Sequence, residues 1–352
     1  VSYTNTTSNW MMEGQEEIRR NNVSVRATRK IKEKLELDAS VLYTHDKVTN
    51  RVANAGSVRN PAMSVVHQHP NQGPNNLIPW KNEAGQAPPT QLYWFTNPYW
   101  LLNEVHNGDV NDRIIGNVTL NYEVAEGLNL RGRMMGDVRL VSGYDFHNMG
   151  AAYDRDGLYR NFNSSTYNWN FEGIATYVKK FGDFSVNVMA GGNAYIRDYE
   201  RRQTDVNTLL LPDVASSTNN GDIALVNKWN SKKRINSVFG SATFGWRDLI
   251  FVDMTARNDW SSTLPTQNNS YFYPSIGSSF IFSELLPKSK AFSYGKVRAS
   301  WAKVGSDANP YQIYNTYSYV GLYDGMPHTA PGRAYKNPDL KNEETNSFEV
   351  GL

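Results

Sequence analysis

Two groups of aromatic side chains in long polar stretches have the clearest capacity for binding chemistry. The first group comprises Tyr93, Trp94, Phe95, Tyr99 and Trp100, and the second comprises Tyr311, Tyr314, Tyr317, Tyr319 and Tyr323. Amphipathic rings of this kind stack on sugar faces or bury against a partner protein. Alternatively, they pack each segment against its neighbours, because a long ordered loop needs a core of its own. The sequence leaves both interpretations open.

Other residues that could do chemistry form no complete site. His67 and His69 have no carboxylate beside them, so a solvated loop is a better interpretation than a metal site. The segment Asp154-Arg-Asp-Gly157 resembles the opening of a calcium loop, but the remaining ligands are not in place, and we predict a turn. The 6 histidines are dispersed, and the chain has no cysteine and no Gly-x-Ser-x-Gly motif. We therefore predict no cofactor, no metal and no enzymatic activity.

The charges and the mean hydropathy exclude several classes of protein. Lys and Arg number 36 against 34 Asp and Glu, so no global field favours a nucleic-acid partner. Mean hydropathy is -0.58, and no apolar run approaches the ~20 residues of a membrane-spanning helix. A strand between lipid and a polar lumen has an equally low mean hydropathy. In that interpretation, the wall of a channel is lined by Arg131, Arg133, Asp137 and Arg139.

Apolar and polar residues alternate along many segments, which is the period of a β-strand. In one segment the apolar face carries Leu35, Leu37, Ala39, Val41 and Tyr43. The pattern recurs at 114–124, 128–140, 169–177, 184–196, 238–246, 250–256 and 297–301. We predict a single lipid-facing surface that includes Leu37, Val41, Val118, Leu120, Val186, Val188, Val252 and Met254.

Short and long connections alternate between these strands. Short links lie at 31–33, 125–127, 181–183 and 246–248, and long segments lie at 47–112, 141–166, 198–233 and 305–344. This order places all tight turns at one end of a sheet and all long loops at the other, as in outer-membrane barrels. Runs of roughly 9–13 residues also suit a tilted strand that crosses a bilayer. Aromatics that would form an interfacial girdle lie near the strand ends, at Tyr43, Tyr122, Tyr177 and Trp246.

These patterns predict an all-β, antiparallel, up-and-down transmembrane β-barrel. We count about a dozen strands, and both Val1–Thr7 and Asn346–Leu352 are strand-like runs at the chain ends. A barrel must close in lipid, and no signal peptide is present. We therefore expect residues 1–352 to be part of a larger barrel domain. The alternative is a soluble sandwich or barrel with unusually long strands.

Several motifs resemble the SusC/RagA-type TonB-linked outer-membrane transporters. The matching segments are Asn97-Pro-Tyr-Trp100, Arg257-Asn-Asp-Trp-Ser-Ser-Thr-Leu-Pro265, Asn269-Ser-Tyr-Phe-Tyr-Pro-Ser275, Ser293-Tyr-Gly-Lys-Val-Arg-Ala-Ser-Trp-Ala-Lys-Val-Gly305 with Asp307 and Pro310-Tyr311, and Asn337-Pro-Asp-Leu-Lys-Asn-Glu-Glu-Thr345. The resemblance covers nearly the whole chain and is densest from Arg257 onward.

The resemblance implies a barrel of about 22 strands in the bacterial outer membrane, a size class with a plugged lumen. It implies an N-terminal plug domain and a segment that contacts the TonB complex, and we find neither in this sequence. It also implies a SusD-like surface lipoprotein that closes over the external mouth like a lid. The implied cargo is oligosaccharide, with peptides in some members, so the predicted function is TonB-dependent uptake of glycans or other nutrients.

Two expectations follow for the structure. The loop 86–106 should serve the external mouth and contact the substrate, the lid or both through its aromatics. The rival hypothesis is a surface or secreted β-domain that binds carbohydrate without transport. An exposed apolar strand face would favour the transporter, and an apolar face inside a closed core would favour the rival.

Overall fold

The computed structural model describes residues 1–11, 17–54, 56–68, 73, 77–88, 95–222, 224–287, 293–332 and 334–352. The described α-helices are α1 (Pro61–Val66) and α2 (Pro98–Glu104), and short 3-10 helices lie at Thr266–Asn268 and Phe282–Leu285. The described strands are β1 (Ser2–Asn9), β2 (Glu17–Lys32), β3 (Leu35–Thr49), β4 (Val105–Ala125), β5 (Leu128–His147), β6 (Leu158–Phe181), β7 (Phe184–Val206), β8 (Leu225–Trp246), β9 (Ile250–Ser261), β10 (Ser270–Phe280), β11 (Val297–Ser306), β12 (Tyr317–Tyr323), β13 (Met326–Pro331) and β14 (Glu343–Gly351). Among these helices, none is both long enough and apolar enough to cross a membrane.

The strands form one antiparallel sheet in which neighbours in sequence are neighbours in space. Its 12 strands follow the order β1 to β11 and then β14, which lies beside β11. The predicted all-β, up-and-down topology is therefore confirmed. Strands β12 and β13 form a separate two-stranded hairpin inside the connection between β11 and β14. Within the described residues the sheet is open, and β1 and β14 are its two edges.

The predicted tight turns all lie at one end of the sheet. In the structure they consist of residues 33–34, where the prediction was 31–33, and of 126–127, 182–183 and 247–249. The described part of a longer connection, 281–296, lies at the same end. The turn at Gly127 excludes other residue types for two reasons. Its φ is 78°, and a Cβ atom at this position would lie 2.2 Å from the Val178 carbonyl oxygen. Only glycine fits such a turn without a backbone shift.

All eight residues predicted to share the lipid-facing surface lie on one face of the sheet. The strand register places Leu37 opposite Leu120 and Val188 opposite Ala242, and alternate residues of a strand share a face. The side chains of this surface are exposed: Val118 is 48% exposed and Val41 is 49% exposed. The apolar face is therefore not inside a closed core, which disfavours the soluble rival.

The strands are longer than the sequence pattern indicated, so the predicted long loops were wrong in their bounds. More than half of 141–166 is strand, because β5 continues to His147 and β6 begins at Leu158, and half of 198–233 is strand, because β7 continues to Val206 and β8 begins at Leu225. In β4 the alternation of apolar and polar residues is lost on the N-terminal side of Ile114. The backbone hydrogen bonds between β4 and β5 nevertheless continue to Val105. Above the apolar band both faces contact water, so a strand there needs no apolar residues and leaves no periodic signal.

The opposite face of the sheet carries a lattice of paired charges. Arg113 binds Asp137 through two hydrogen bonds of 2.8 Å, and Arg133 contacts Glu172 at 3.0 Å. The predicted channel-lining residues Arg131, Arg133, Asp137 and Arg139 all lie on this face, as their spacing in β5 requires. The sheet thus has one apolar and one polar face, and the charges of the polar face are largely satisfied by neighbouring strands.

Candidate functional site at the loop end of the sheet

The long connections gather at the end of the sheet opposite the tight turns. The described parts of 50–104, 148–157 and 207–224 come together above β3 to β8, and the described parts of 262–269 and 307–342 lie above the later strands. This geometry follows from antiparallel pairing, because every second connection must lie at the same end. The described parts of the first three connections form a cross-linked group, which we call the loop cluster.

The core of the loop cluster is Trp100. Helix α2 begins at Pro98 because the Asn97 side chain accepts a hydrogen bond from the Tyr99 backbone nitrogen at 2.9 Å. Trp100 is 0% exposed and packs edge-on against Trp80, with 6.1 Å between ring centroids. The Lys81 ammonium lies 5.7 Å from the centroids of both rings. Two tryptophans and a cation therefore fix α2 against the segment that precedes it.

Glu104, at the end of α2, joins three connections. Its carboxylate accepts a hydrogen bond from Lys81 Nζ at 3.0 Å and another from Asn148 Nδ2. The same Asn148 amide donates to Asp213 Oδ1 at 2.6 Å. Glu104 and Asn148 are buried, so removal of either partner leaves a polar group without water to replace it.

Asp154 forms a second buried link. It accepts two hydrogen bonds from Arg59, at 2.9 and 3.0 Å, and one from His147 Nδ1 at 2.6 Å. Burial favours the neutral acid, but the hydrogen bonds from His147 and Arg59 outweigh that effect and lower the pKa of Asp154 to about 2. The predicted turn at Asp154–Gly157 is confirmed, because the Gly157 nitrogen donates to the Asp154 carbonyl at 3.1 Å.

A cleft of about 850 Å³ opens between the three connections of the loop cluster. Its walls include Lys81, Gln86, Asn148, Arg155 and Asp213. The lining residues in the described part of the chain include no aromatic side chain. Charges of both signs and backbone amides therefore face the space, an arrangement suited to a polar ligand that carries charge.

The connection 307–342 is held near both ends by hydrogen bonds, to the sheet and to a neighbouring connection. At its start, Asp307 accepts hydrogen bonds from Lys233 Nζ at 2.6 Å and from Thr263 Oγ1 at 3.1 Å. Near its end, the Asn268 side chain donates to the Asp339 carbonyl at 3.0 Å. The ends of this connection are thus fixed to β8 and to the connection 262–269.

Between these attachments, the hairpin β12–β13 presents apolar rings to solvent. Its strands pair with each other and with no other described strand. Tyr317 is 71% exposed and Tyr323 is 73% exposed. A two-stranded hairpin is only marginally stable alone in water, and exposed apolar clusters usually mark an interaction surface.

The predicted contact residues fall into different environments. Tyr93 and Trp94 lie outside the described residues. Phe95 stacks on His67 at a centroid distance of 4.3 Å, Tyr99 is half-buried, and Trp100 is fully buried. Exposed rings occur in the second group, at Tyr311, Tyr314 and Tyr317. Among the described members, no ring contact joins the two groups, and the exposed rings belong to the second.

Sequence reasoning missed the polar links of the loop cluster. Glu104 and Asn148 are far apart in sequence, and neither belongs to a motif that indicates a buried network. Asp154 carried a signal, because it opens the Asp-Arg-Asp-Gly turn, but its partners Arg59 and His147 could not be identified without the fold. Links between loops depend on which connections share an end of the sheet, so only the topology reveals them.

Comparisons with known proteins agree with this architecture. The family model described as TonB dependent receptor-like, beta-barrel matches residues 50–352. A solved structure of the RagAB peptide transporter has a TM-score of 0.81 and 15% identity, covering 99% of this chain and 39% of that one. The RagAB peptide importer in the 'open-open' state has a TM-score of 0.76 and 16% identity, with coverage of 99% and 39%. The siderophore receptor PiuA from Acinetobacter baumannii has a TM-score of 0.57 and 10% identity, with coverage of 99% and 49%.

The solved structures are much longer than this chain, which spans 39% of the RagAB chain. No curated protein matches the sequence. The family model nevertheless covers most of the chain, and the RagAB match extends over nearly all of it. The strand order, the exposed apolar face and the family match lead to one conclusion: this chain belongs to the TonB-dependent receptor β-barrel family of the bacterial outer membrane.

Proposed function

We propose that this chain forms part of the wall and external mouth of a TonB-dependent importer of nutrients. The observation that carries the proposal is the loop cluster, in which buried hydrogen bonds hold three connections around an open polar cleft of about 850 Å³. Ordered loops around the external opening are expected of a barrel that binds a ligand there, and not of one that only anchors a protein in the membrane. Uptake would require energy coupling through the TonB complex, and a SusD-like surface lipoprotein would close over the loop end as a lid.

Oligosaccharide is the first candidate cargo. Tyr311, Tyr314 and Tyr317 are 50%, 64% and 71% exposed, so their ring faces are accessible to a sugar or to the lid. Stacking of this kind tolerates variation in the sugar, because it depends on a flat apolar face and not on a fixed set of donors. A tyrosine at the centre of such a contact would contribute a hot-spot amount of binding free energy, about 2 kcal/mol.

Oligopeptide is the second candidate, and the chemistry of the cleft favours it. Arg155 and Asp156 line the cleft and are exposed, and their side chains form no ion pair with any residue that the structure describes. Adjacent charges of opposite sign complement a zwitterionic ligand. The fold match to a structure named for peptide transport is compatible with this candidate.

The test uses the full-length gene in a deletion strain of the native host. Growth is measured on defined glycans and on defined oligopeptides as sole nutrient sources. Two double variants separate the candidate sites: Tyr314→Ala with Tyr317→Ala, and Arg155→Gln with Asp156→Asn. A matched control, Glu33→Gln with Lys34→Gln, removes one charge of each sign from a tight turn at the opposite end of the sheet.

Loss of uptake in a cleft or tyrosine variant, with barrel assembly and the control intact, supports the corresponding site. Loss of growth on glycans but not peptides assigns oligosaccharide, and the reverse assigns oligopeptide. If the deletion strain grows on every source as the parent does, the importer proposal is wrong. Binding of a glycan by the full-length protein without any uptake would instead support the rival carbohydrate-binding function.

A further inference from the structure

The apolar face of the sheet changes to a charged surface part way along β7 and β8. On β7, Ile196 is followed on the same face by Asp198, Glu200 and Arg202. On β8, Val238 is followed towards the loop end by Asn236, and then by Arg234, Lys232 and Lys228. The register joins these rows, since Lys232 lies opposite Asp198 and Lys228 lies opposite Arg202. We call Arg202, Lys228, Lys232 and Arg234 the basic patch.

Positive charge exceeds negative charge in the basic patch. Glu200 contacts Arg202 at 2.6 Å and Lys228 at 3.3 Å, so this one carboxylate is shared by two cations. Lys232 and Arg234 are exposed, and neither side chain forms an ion pair with a residue in the described part of the chain. Two cations on adjacent positions of one face of β8 are therefore available to an anion.

A recess of about 380 Å³ adjoins the basic patch on its β6 side. Glu200 and Arg202 form one wall, Asp112 lies at the other, and Ser142 and Ser165 are part of the lining between them. Ser165 lies opposite Glu200 in the register, so the recess opens on the same face as the patch. The two carboxylates would repel a phosphate, so the recess suits the sugar part of a headgroup, whose hydroxyls can form hydrogen bonds with the serines and the carboxylates.

The surface directly below the basic patch is apolar and open. Val238 is 52% exposed on β8, and Phe171, which lies opposite Ala194 of β7, is 42% exposed on β6. An acyl chain anchored beside the strands would cover these residues and would place its headgroup at the height of the patch. A free anion would gain nothing from the apolar surface beneath.

We propose that the basic patch and its recess bind the phosphorylated headgroup of an outer-leaflet glycolipid whose acyl chains cover the adjoining apolar face. Charge-assisted hydrogen bonds from Arg and Lys to phosphate are strong. Basic side chains at the boundary between apolar surface and water are typical of sites for anionic lipid headgroups. The inference does not depend on what the protein imports.

The experiment measures lipid retention by the purified full-length protein in detergent. Diphosphoryl lipid A is titrated, and bound lipid is counted by native mass spectrometry, in parallel with the dephosphorylated lipid and with inorganic phosphate. The test variant is Lys232→Gln with Arg234→Gln. The control, Lys34→Gln with Lys341→Gln, also removes two exposed positive charges, but at positions outside the basic patch.

We expect the test variant to bind diphosphoryl lipid A roughly 30-fold more weakly, from the usual contribution of each basic residue near anionic lipid. The control should bind as the parent protein does, and both variants should keep the heat-modifiable electrophoretic mobility of a folded barrel. Equal affinity of parent and test variant overturns the proposal. So does equal retention of dephosphorylated lipid, or inorganic phosphate binding as tightly as the phosphorylated lipid.

Discussion

The loop cluster around Trp100 and the hairpin β12–β13 contain similar aromatic residues in very different surroundings. In the loop cluster, Trp100 is fully buried and lies among hydrogen bonds that join three connections. In the hairpin, Tyr317 and Tyr323 are more than two-thirds exposed and lie in a ribbon that pairs with no further strand in the described parts of the chain. The difference shows that similar groups of rings are buried in one connection and exposed to solvent in another, depending on which segments pack around them.

The largest effect is expected from Trp100→Ala in the full-length protein. Loss of a fully buried tryptophan leaves a cavity, and such changes destabilise a folded unit by about 3–5 kcal/mol. Limited proteolysis between residues 77 and 104 measures the opening of the loop cluster. Resistance equal to that of the parent would contradict the role of Trp100 as a core residue and would return it to the candidates for substrate contact.

Asp154→Asn should have the next largest effect, and it should depend on pH. The pKa of Asp154 is about 2 in the folded protein, below its ordinary 3.8, so its charge contributes stability above about pH 4. That contribution is lost as the pH falls through the folded pKa. The difference in pKa corresponds to about 2 kcal/mol.

Hydrogen exchange at the amides of residues 148–157 measures this effect. The variant should exchange faster than the parent at pH 6, and the two proteins should converge towards pH 2. A difference that persists undiminished at pH 2 would show that the carboxylate charge is not responsible.

Gly325→Ala should act on the hairpin alone. Asp324 and Gly325 form its two-residue turn with φ of 50° and 75°, which is the backbone conformation that favours glycine. Alanine there should cost about 1 kcal/mol, which is enough to unfold a marginal hairpin. Faster hydrogen exchange in residues 317–331 is the expected result, with exchange at Trp100 unchanged, and a joint increase would show that the two regions are coupled.

The smallest effect is expected from Tyr317→Ala, which should change stability by less than about 0.5 kcal/mol because the side chain is exposed. Thermal unfolding of the full-length protein checks this value. The matched comparison is Trp100→Ala in the same assay. A large loss of stability at Tyr317 would mean that the hairpin is packed and would remove the main difference between the two regions.

The sheet could be predicted from sequence because period two is a local property. Residues such as Val118 and Val188 mark the apolar face wherever the strand borders lipid. The upper halves of β5 to β8 escaped prediction, because residues such as Ser142 and Asn163 stand where both faces are polar. The aromatic groups were found, but their burial was not, since the burial of Trp100 depends on Trp80 and on connections brought together by the fold. The contact roles of Tyr311, Tyr314 and Tyr317 stay predictions.

The strict pairing of sequence neighbours also has a consequence for how the chain assembles. Strands β4 to β9 are joined into hairpins by turns of two or three residues or by moderate loops, so each new strand can find its partner with little loop entropy to overcome. The pairing of β3 with β4 is different, because residues 50–104 lie between them. That closure should be the slow step of this part of the sheet. Arg59, in this long connection, binds Asp154 in the connection between β5 and β6, so the loop cluster is expected to be the last region to acquire its final structure.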